Sequence, residues 1–550
     1  MKRILLFSVL FFVISSPLLL FSQLKLNVRA TASNFLRYGS GKEETISSSI
    51  GKDYFEELGD VRLFVNDFIF GIRYEYDDPI EYGTSLKGIT RRYVEYNKDN
   101  FLVRAGNFYE LFGTGLILNA FENRGLGFNT QFDGIKLKYK NNWKNIKFDA
   151  TFVGGGMVYD DFLVSGRQEK YSLRGGNFSF SPLKLFSIGG SYLFAKGNIP
   201  SGNISTDITA ELFEGNFAFN YKSISFQGSY ANKKTITVPN SLYPQSKTPR
   251  GDGGYASLTF TSGRLGITAD YKNYRFDLVT PAERSSTSPT KVLPFQNPPT
   301  CIKEHSSTLL SRYPHTPDFN DEVGFQVDAF YSPIKDEDLT FNLNASLTSR
   351  HYDYVDVDTT TLTRYERIDR KDAFLPSPEN KYSPYWELYF EGEYYYKNWY
   401  FKAGAGRQYS VLYSIVNPAN SDIIHAFTVP LEIKYDFAKI YSIDLHAEQQ
   451  FVYNSVRVDK KNFYNEYLSL SVSRSPSLIV NGTVEFSNDE EDPSGKKVWG
   501  TYEITYKISS ANSVTLSYGS ERGGLKCSSG ICRYLNPFNG FRLTVINNFN

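Results

Sequence analysis

The sequence predicts an all-β protein, a transmembrane antiparallel β-barrel of about 24 strands within a range of roughly 20 to 26. Three observations lead there. Apolar and polar residues alternate with period 2 over most of the chain, 41 Tyr and 44 Phe make it aromatic-rich, and turn-forming clusters recur along its length. The longest apolar run lies at the N-terminus, which excludes a multi-span helical protein needing repeated stretches of about 20 apolar residues. With 60 basic against 59 acidic residues, the chain lacks the basic surface that phosphate-backbone binding needs, so no nucleic acid partner is expected. A composition 22% charged and 41% hydrophobic also excludes a disordered tail.

In chain order, residues 1–22 read as an export signal peptide. Lys2 and Arg3 form a basic start, Ile4 to Phe21 is almost wholly apolar, and Ser22-Gln23 offers a small residue for cleavage. Residues 23–550 are expected to form a single barrel. Its first strand, near Leu24 to Tyr38, follows the signal at once and leaves no room for an N-terminal plug domain or a periplasmic repeat. That argues against a plugged energy-coupled transporter and against an assembly machine.

The alternation is clearest in the C-terminal half. Trp386, Leu388, Phe390, Tyr394 and Tyr396 share one parity, while Glu387, Tyr389, Glu391 and Glu393 take the other. Phe427, Val429, Leu431, Ile433 and Tyr435 alternate with Thr428, Pro430, Glu432, Lys434 and Asp436; Tyr441, Ile443, Leu445 and Ala447 alternate with Ser442, Asp444, His446 and Glu448. Strand side chains point to opposite faces with period 2, so each segment has one apolar and one polar face. A soluble sandwich also builds such strands. The barrel is preferred because the segments run about 9 to 12 residues, because aromatics cluster at strand ends, as in Tyr394-Tyr395-Tyr396 and Trp399-Tyr400-Phe401, and because short and long connections alternate.

Short turns are expected at Asn66-Asp67, Asn97 to Asn100, Asn141 to Lys144, Ser181-Pro182, Lys222-Ser223, Ser262-Gly263, Ser332 to Asp338, Lys397-Asn398, Phe437 to Lys439, Arg474 to Pro476 and Ser509 to Asn512. Between them lie longer polar stretches at 39–60, 77–88, 107–131, 233–252, 275–321, 350–384, 487–496 and 520–538. In 107–131, Leu116, Ile117 and Leu118 either extend a strand or fold inside. The last strand carries Phe541, Leu543, Val545 and Phe549 almost to Asn550, a terminal pattern resembling the signal read by the barrel-assembly machinery during insertion.

Chemical sites are few. A hydrolase needs a nucleophile, a base and an orienting acid, and no Ser stands in such a context near His446. Cys301, His305 and His315 share one loop but fall short of the four well-spaced ligands of a zinc site. Asp489-Glu490-Glu491-Asp492 lacks a calcium loop's spacing and reads as a solvated acidic tip. Gly113-Thr114-Gly115 lacks the third glycine and the βαβ setting of a dinucleotide fingerprint. No catalytic residue, cofactor or metal is therefore expected. The residues expected to line the lumen are Lys402, Glu432, Lys434, Asp444 and His446. Cys527 and Cys532 sit on the last outer loop, where an oxidising compartment permits a disulfide. So small a ring would contribute about 2 kcal/mol in the chain-entropy model, and two free thiols are the alternative. Cys301 is left over.

The run Arg522-Gly523-Gly524-Leu525-Lys526-Cys527-Ser528-Ser529-Gly530-Ile531-Cys532-Arg533, continuing Tyr534-Leu535-Asn536-Pro537-Phe538-Asn539-Gly540-Phe541-Arg542, is distinctive. Together with Phe112-Gly113-Thr114-Gly115-Leu116-Ile117-Leu118 and the stretch from Asn297-Pro298-Pro299 through Glu304-His305 to Arg312, it resembles an uncharacterised outer-membrane β-barrel family of Bacteroidota. The resemblance spans most of the mature chain. It implies an envelope location and a barrel fold, and it brings no activity with it.

Two function classes follow. One is a channel or transporter for an unidentified solute, obstructed by loops because a barrel this wide would otherwise leak. The longest loops, 275–321 and 350–384, would supply the obstruction; 275–321 holds seven prolines and is placed to fold inward. The other is a structural or assembly scaffold with surface or periplasmic protein partners and no transport. Both place the protein in the cell outer membrane, in contact with its lipid, and neither makes it an enzyme.

Overall fold

The computed structural model describes residues 26–44, 48–160, 167–201, 204–238, 250–276, 293–334, 338–356, 365–370, 374–413 and 421–549. The expected signal peptide at 1–22 lies outside them. Twenty-four strands form one antiparallel sheet. Each pairs with its neighbours in sequence, and the sheet closes where the first strand, Val28–Glu44, meets the last, Phe538–Phe549, in a register running from Ala32↔Phe549 to Glu43↔Phe538. Closure leaves no edge, as hydrocarbon demands of any sheet that crosses it. No described helix is long and apolar enough to cross a membrane; the strands do so.

The two parities face opposite ways, as the alternation predicts. Phe427, Val429 and Leu431 are exposed on the outer wall, whereas Thr428 between them is wholly buried. Leu388 and Phe390 point out while Glu387, Tyr389 and Glu391 are buried inside. An apolar outer belt on a closed barrel is the architecture of the outer membrane, and this chain is an outer-membrane β-barrel.

The polarity of both faces reverses partway along one flank. In Ile204–Tyr221 the outward residues run Asp207, Thr209, Glu211 and then Phe213, Phe217, Phe219, Tyr221. The inward ones run Ile208, Ala210 and Leu212, all buried, and then Glu214, Asn216 and Asn220. Phe213 to Tyr221 is thus the lipid-crossing part, about 9 residues at a tilt. The part before it stands in water outside and packs on an apolar filling inside. This explains strands of up to 18 residues, where about 9 to 12 are expected from the crossing alone.

The same extension corrects three expectations. Residues 39–60 are not a loop: Gly39 to Glu44 and Ser49 to Asp60 continue as paired strands. Short and long connections do not alternate strictly, because only two residues separate Phe186–Ser201 from Ile204–Tyr221 at the long-loop end. The turn expected at Ser181-Pro182 lies at Lys184-Leu185. Pro182 instead occupies a register irregularity between Phe180 and Leu183, where a missing N–H is tolerated.

Replacing outward Leu431 with Arg should lower unfolding stability by about 2–4 kcal/mol, while Ser442→Arg on the inward parity should change it little; urea unfolding in lipid vesicles reads the difference. For orientation, a cysteine at Val458, which is 83% exposed at the loop end, should react with an impermeant maleimide on intact cells. One at Asn398, in a tight turn at the other end, should not.

Candidate functional site

Segment 293–321 folds into the barrel and is bound there through both its backbone and its side chains. Beginning at its N-terminal end, Asn119 N donates to Phe295 O (2.8 Å), Gln296 Nε2 donates to Leu116 O (3.0 Å), and Asn297 Nδ2 to Asn119 O (3.0 Å). These bonds dock it on a second inward loop, whose Leu116, Ile117 and Leu118 are fully buried, resolving the alternatives left open for them. That loop turns at Gly113 and Gly115, both at positive φ, a conformation that favours glycine. At the turn, Thr114 donates its N–H (3.0 Å) and Oγ1 (3.2 Å) to Glu214 on the wall.

Further along, inward wall residues bond to the segment at successive points. Lys272 Nζ donates to Thr300 O (2.6 Å) and Tyr274 OH to Pro299 O (2.9 Å). His305 meets Glu387 at 2.6 Å. Glu448 accepts three bonds, from Ser307 Oγ (2.6 Å), Thr308 N (2.8 Å) and Leu309 N (2.7 Å). Gln450 and Gln408 donate to the carbonyls of Leu309 and Leu310 at 2.6 and 3.0 Å. Arg312 pairs with Glu485 and donates to Gly523 O at 2.6 Å; burial lowers the Arg312 pKa, and Glu485 opposes that shift. An amide carried into the interior must find such partners.

The last outer loop completes the filling. Gly524–Ser528 and Ile531–Leu535 pair as a hairpin with Cys527 opposite Cys532, and the two cysteines are joined by a disulfide. The hairpin grows from strands Asn512–Glu521 and Phe538–Phe549. It reaches residues anchored about ten strands away around the wall: Ser529 N donates to Glu304 (2.5 Å), and Gly530 abuts Phe319 and Thr300. The other flank is held by charge. Arg37 and Arg542 both pair with buried Glu81, while Arg73 and Arg91 converge on Glu122 at 2.9 and 3.0 Å. Burial alone would raise the Glu122 carboxyl, but Arg73, Arg91 and Arg124 hold it below its ordinary value. Between segment 300–317 and the hairpin lies a cavity of about 580 Å³, lined among others by His305, Arg312, His315, Tyr467, Trp499 and Arg522.

The five residues expected in the lumen all lie on inward parities. Lys402 pairs with Glu391 (3.0 Å) and Glu393 (3.3 Å), Lys434 with Asp436 (3.5 Å), and His446 with Glu448 (3.0 Å). Glu432 and Asp444 are half-buried in adjacent positions of the same wall, Glu432 opposite His446. Cys301, His305 and His315 do not converge. Cys301 is buried, its thiol pushed up to about 12 by burial, while His305 and His315 each face their own carboxylate, Glu387 and Glu322. No group of three or more metal-ligating side chains occurs among the described residues.

Three readings need correction. Asp489 and Asp492 are not a solvated tip: both are buried, Asp489 paired with Arg457 (2.7 Å) and Asp492 with Arg522 (2.9 Å). The described part of 350–384 does not enter the lumen. Outward Tyr271 donates its OH to Phe374 O (2.6 Å) and outward Tyr409 to Asn380 (2.5 Å), so this loop lies on the outer wall. His351, bonded to Asp321 (2.6 Å) and Asn273 (3.0 Å), ties its base there. Nor is the interior uniformly polar, since Leu173, Leu193, Leu212, Phe295 and Leu116 share one buried apolar cluster.

The sequence model of a family of unknown function, DUF6029, matches residues 1–549. No curated protein matches the sequence. Among solved structures the chain is similar to the siderophore receptor PirA from Pseudomonas aeruginosa, with 9% identity over 95% of this chain and 81% of that one and a TM-score of 0.45. It is also similar to the copper transporter OprC, with 8% identity over 95% and 80% and a TM-score of 0.44. The FrpB iron transporter from Neisseria meningitidis shows 10% identity over 94% and 82%, with a TM-score of 0.43. These likenesses are of barrel architecture alone.

Replacing Glu448 with Ala removes the acceptor of three plug donors. At about 1–3 kcal/mol for unsatisfied buried groups, the amides of Thr308 and Leu309 should exchange hydrogen roughly ten-fold faster or more, while amides of strand Asn512–Glu521 keep their protection.

Proposed function

We propose, for a chain that belongs to the DUF6029 family of unknown function, a loop-obstructed channel or transporter of the outer membrane for a small polar solute. The observation that carries this reading is segment 293–321, hydrogen-bonded along the inner wall and met from the far side by the hairpin 524–535. An obstruction made of the chain's own loops suits a passage that opens when those loops shift. The cavity of about 580 Å³ falls in the range of small-molecule sites, and its mix of Arg, His, Glu and aromatic side chains suits a polar ligand. Below it, Lys402, Glu432, Lys434, Asp444 and His446 would line the path with charges of both signs. No catalytic role is proposed. Export by the signal at 1–22, membership of Bacteroidota, and insertion by the barrel-assembly machinery belong to the same reading.

A scaffold without transport is favoured by one observation, the density of ion pairs fixing the loops to the wall, as at Arg312–Glu485 and Arg542–Glu81. Conductance separates the two. Tyr274 and Glu322 are direct partners across adjacent strands, so excising residues 285–315 leaves ample chain to rejoin them. On the transport reading the deletion raises single-channel conductance several-fold and sensitises cells to large antibiotics. A deletion variant that inserts, yet conducts and excludes as the intact protein does, leaves the scaffold.

A further inference from the structure

One stretch of the outer wall departs from the smooth apolar belt. A groove of about 850 Å³ runs across strands Ile146–Asp160, Gln168–Leu183, Phe186–Ser201 and Ile204–Tyr221, walled by Phe152, Phe178, Tyr192 and Phe213. All four rings are exposed on the outward parity. Phe152 stands opposite Gly176 and Phe178 opposite Gly190, and each ring lies across its partner, where a Cβ would come within 2.9 Å of it. At Gly215, within the groove, a Cβ would have nothing within 4 Å. The groove lies at the loop-side end of the crossing, since Phe213 is the first apolar outward residue of its strand after Glu211.

Just beyond that boundary three cations cluster. Lys170, Arg174 and Lys196 are exposed and point outward. Lys196 is the register partner of Ser172, which lies between the other two. Among the described residues no ion pair or hydrogen bond engages the three side chains. The nearby outward carboxylates have other neighbours: Glu211 stands opposite Lys234, Asp207 accepts from Asn198 Nδ2 at 2.7 Å, and Asp160, opposite Gln168, accepts from its Nε2 at 2.8 Å. Uncompensated cations above an aromatic-walled groove, at the level where lipid meets water, match an amphiphile with an anionic head. Arg and Lys are also the side chains that best meet phosphate oxygens.

We propose that this groove binds a phosphate-bearing lipid of the outer leaflet, its acyl chain lying over Gly215 and its phosphate held by Arg174, Lys170 and Lys196. The site is separate from the lumen and holds whether or not the barrel conducts. Purified full-length protein, stripped of lipid in detergent, should take up phosphorylated lipid A, read as one retained lipid by native mass spectrometry. Dephosphorylated lipid A should be retained at least ten-fold less. The combined K170Q, R174Q and K196Q substitutions should cause a similar loss, and Gly215→Leu, which fills the groove without meeting backbone, should do the same. Gly482→Leu, on the lipid face of the far flank, should leave retention unchanged. Heat-modifiable gel migration reports folding of each variant, and the lysine and arginine changes, being on exposed side chains, keep the test valid if Gly215→Leu fails to fold. No uptake by the wild type, equal uptake of the dephosphorylated lipid, or unchanged retention in the folded triple variant would overturn the assignment.

Discussion

Everything in this structure follows from what hydrocarbon does to a peptide group. An amide without a partner costs several kcal/mol there, so the sheet has to close, and it does so by pairing Val28–Glu44 with Phe538–Phe549. Closure with 24 strands encloses a wide interior, because diameter grows with strand number. Chain that enters this interior leaves bulk water, and its amides need partners again. The inward side chains supply them. Glu448, Gln408, Gln450 and Lys272 bond to the main chain of segment 293–321, much as a neighbouring strand would. The polar face of the alternation therefore binds a folded segment as well as facing water.

The reversal at Glu211 and Phe213 carries the same logic across the membrane surface. Alternation with period 2 survives on both sides of that level, because it comes from strand geometry. What changes is the solvent on each face. Lipid gives way to water outside, and polar lumen gives way to the apolar cluster around Leu173, Leu193, Leu212 and Phe295 inside. One flank of the barrel is thus a transmembrane wall in its lower part and the shell of an ordinary hydrophobic core in its upper part. Long strands and the short link between Ser201 and Ile204 belong to the second role.

Local regularity made the wall legible from sequence, while distance in sequence hid the filling. Strand number, the outward set Phe427, Val429 and Leu431, and turns such as Lys397-Asn398 all follow from residues a few positions apart. The partners of Glu448 lie about 140 residues away, and no local pattern announces them. Glu448 continues the polar parity of Asp444 and His446 just as a water-facing residue would. Asp489 and Asp492 misled in the same way, since the arginines that bury them, Arg457 and Arg522, come from other loops. Leu116 to Leu118 did carry a signal, an apolar run in a polar loop, but not its destination. For loop 350–384 length suggested the lumen, whereas His351, through Asp321 and Asn273, directs it outward.

The filling is built as a hub rather than as separate loops. The hairpin 524–535 touches the turn Leu310–Arg312 with one strand and the turn Arg124–Leu126 with the other, and its tip abuts Phe319 and Thr300. Segments that enter from three different connections are therefore in mutual contact around it. Shifting any one of them breaks hydrogen bonds made by the others: Gly523 O loses Arg312, and Glu304 loses Ser529 N. With net values of about 0.5–1.5 kcal/mol per hydrogen bond, and more where a charge is left unpaired, these losses add within one connected set. The physical expectation is a filling that leaves its place cooperatively or not at all. On the proposed transport reading, the natural trigger is then a ligand in the cavity beside Arg312 and Trp499, because that cavity borders both segment and hairpin and a group bound there acts on both at once.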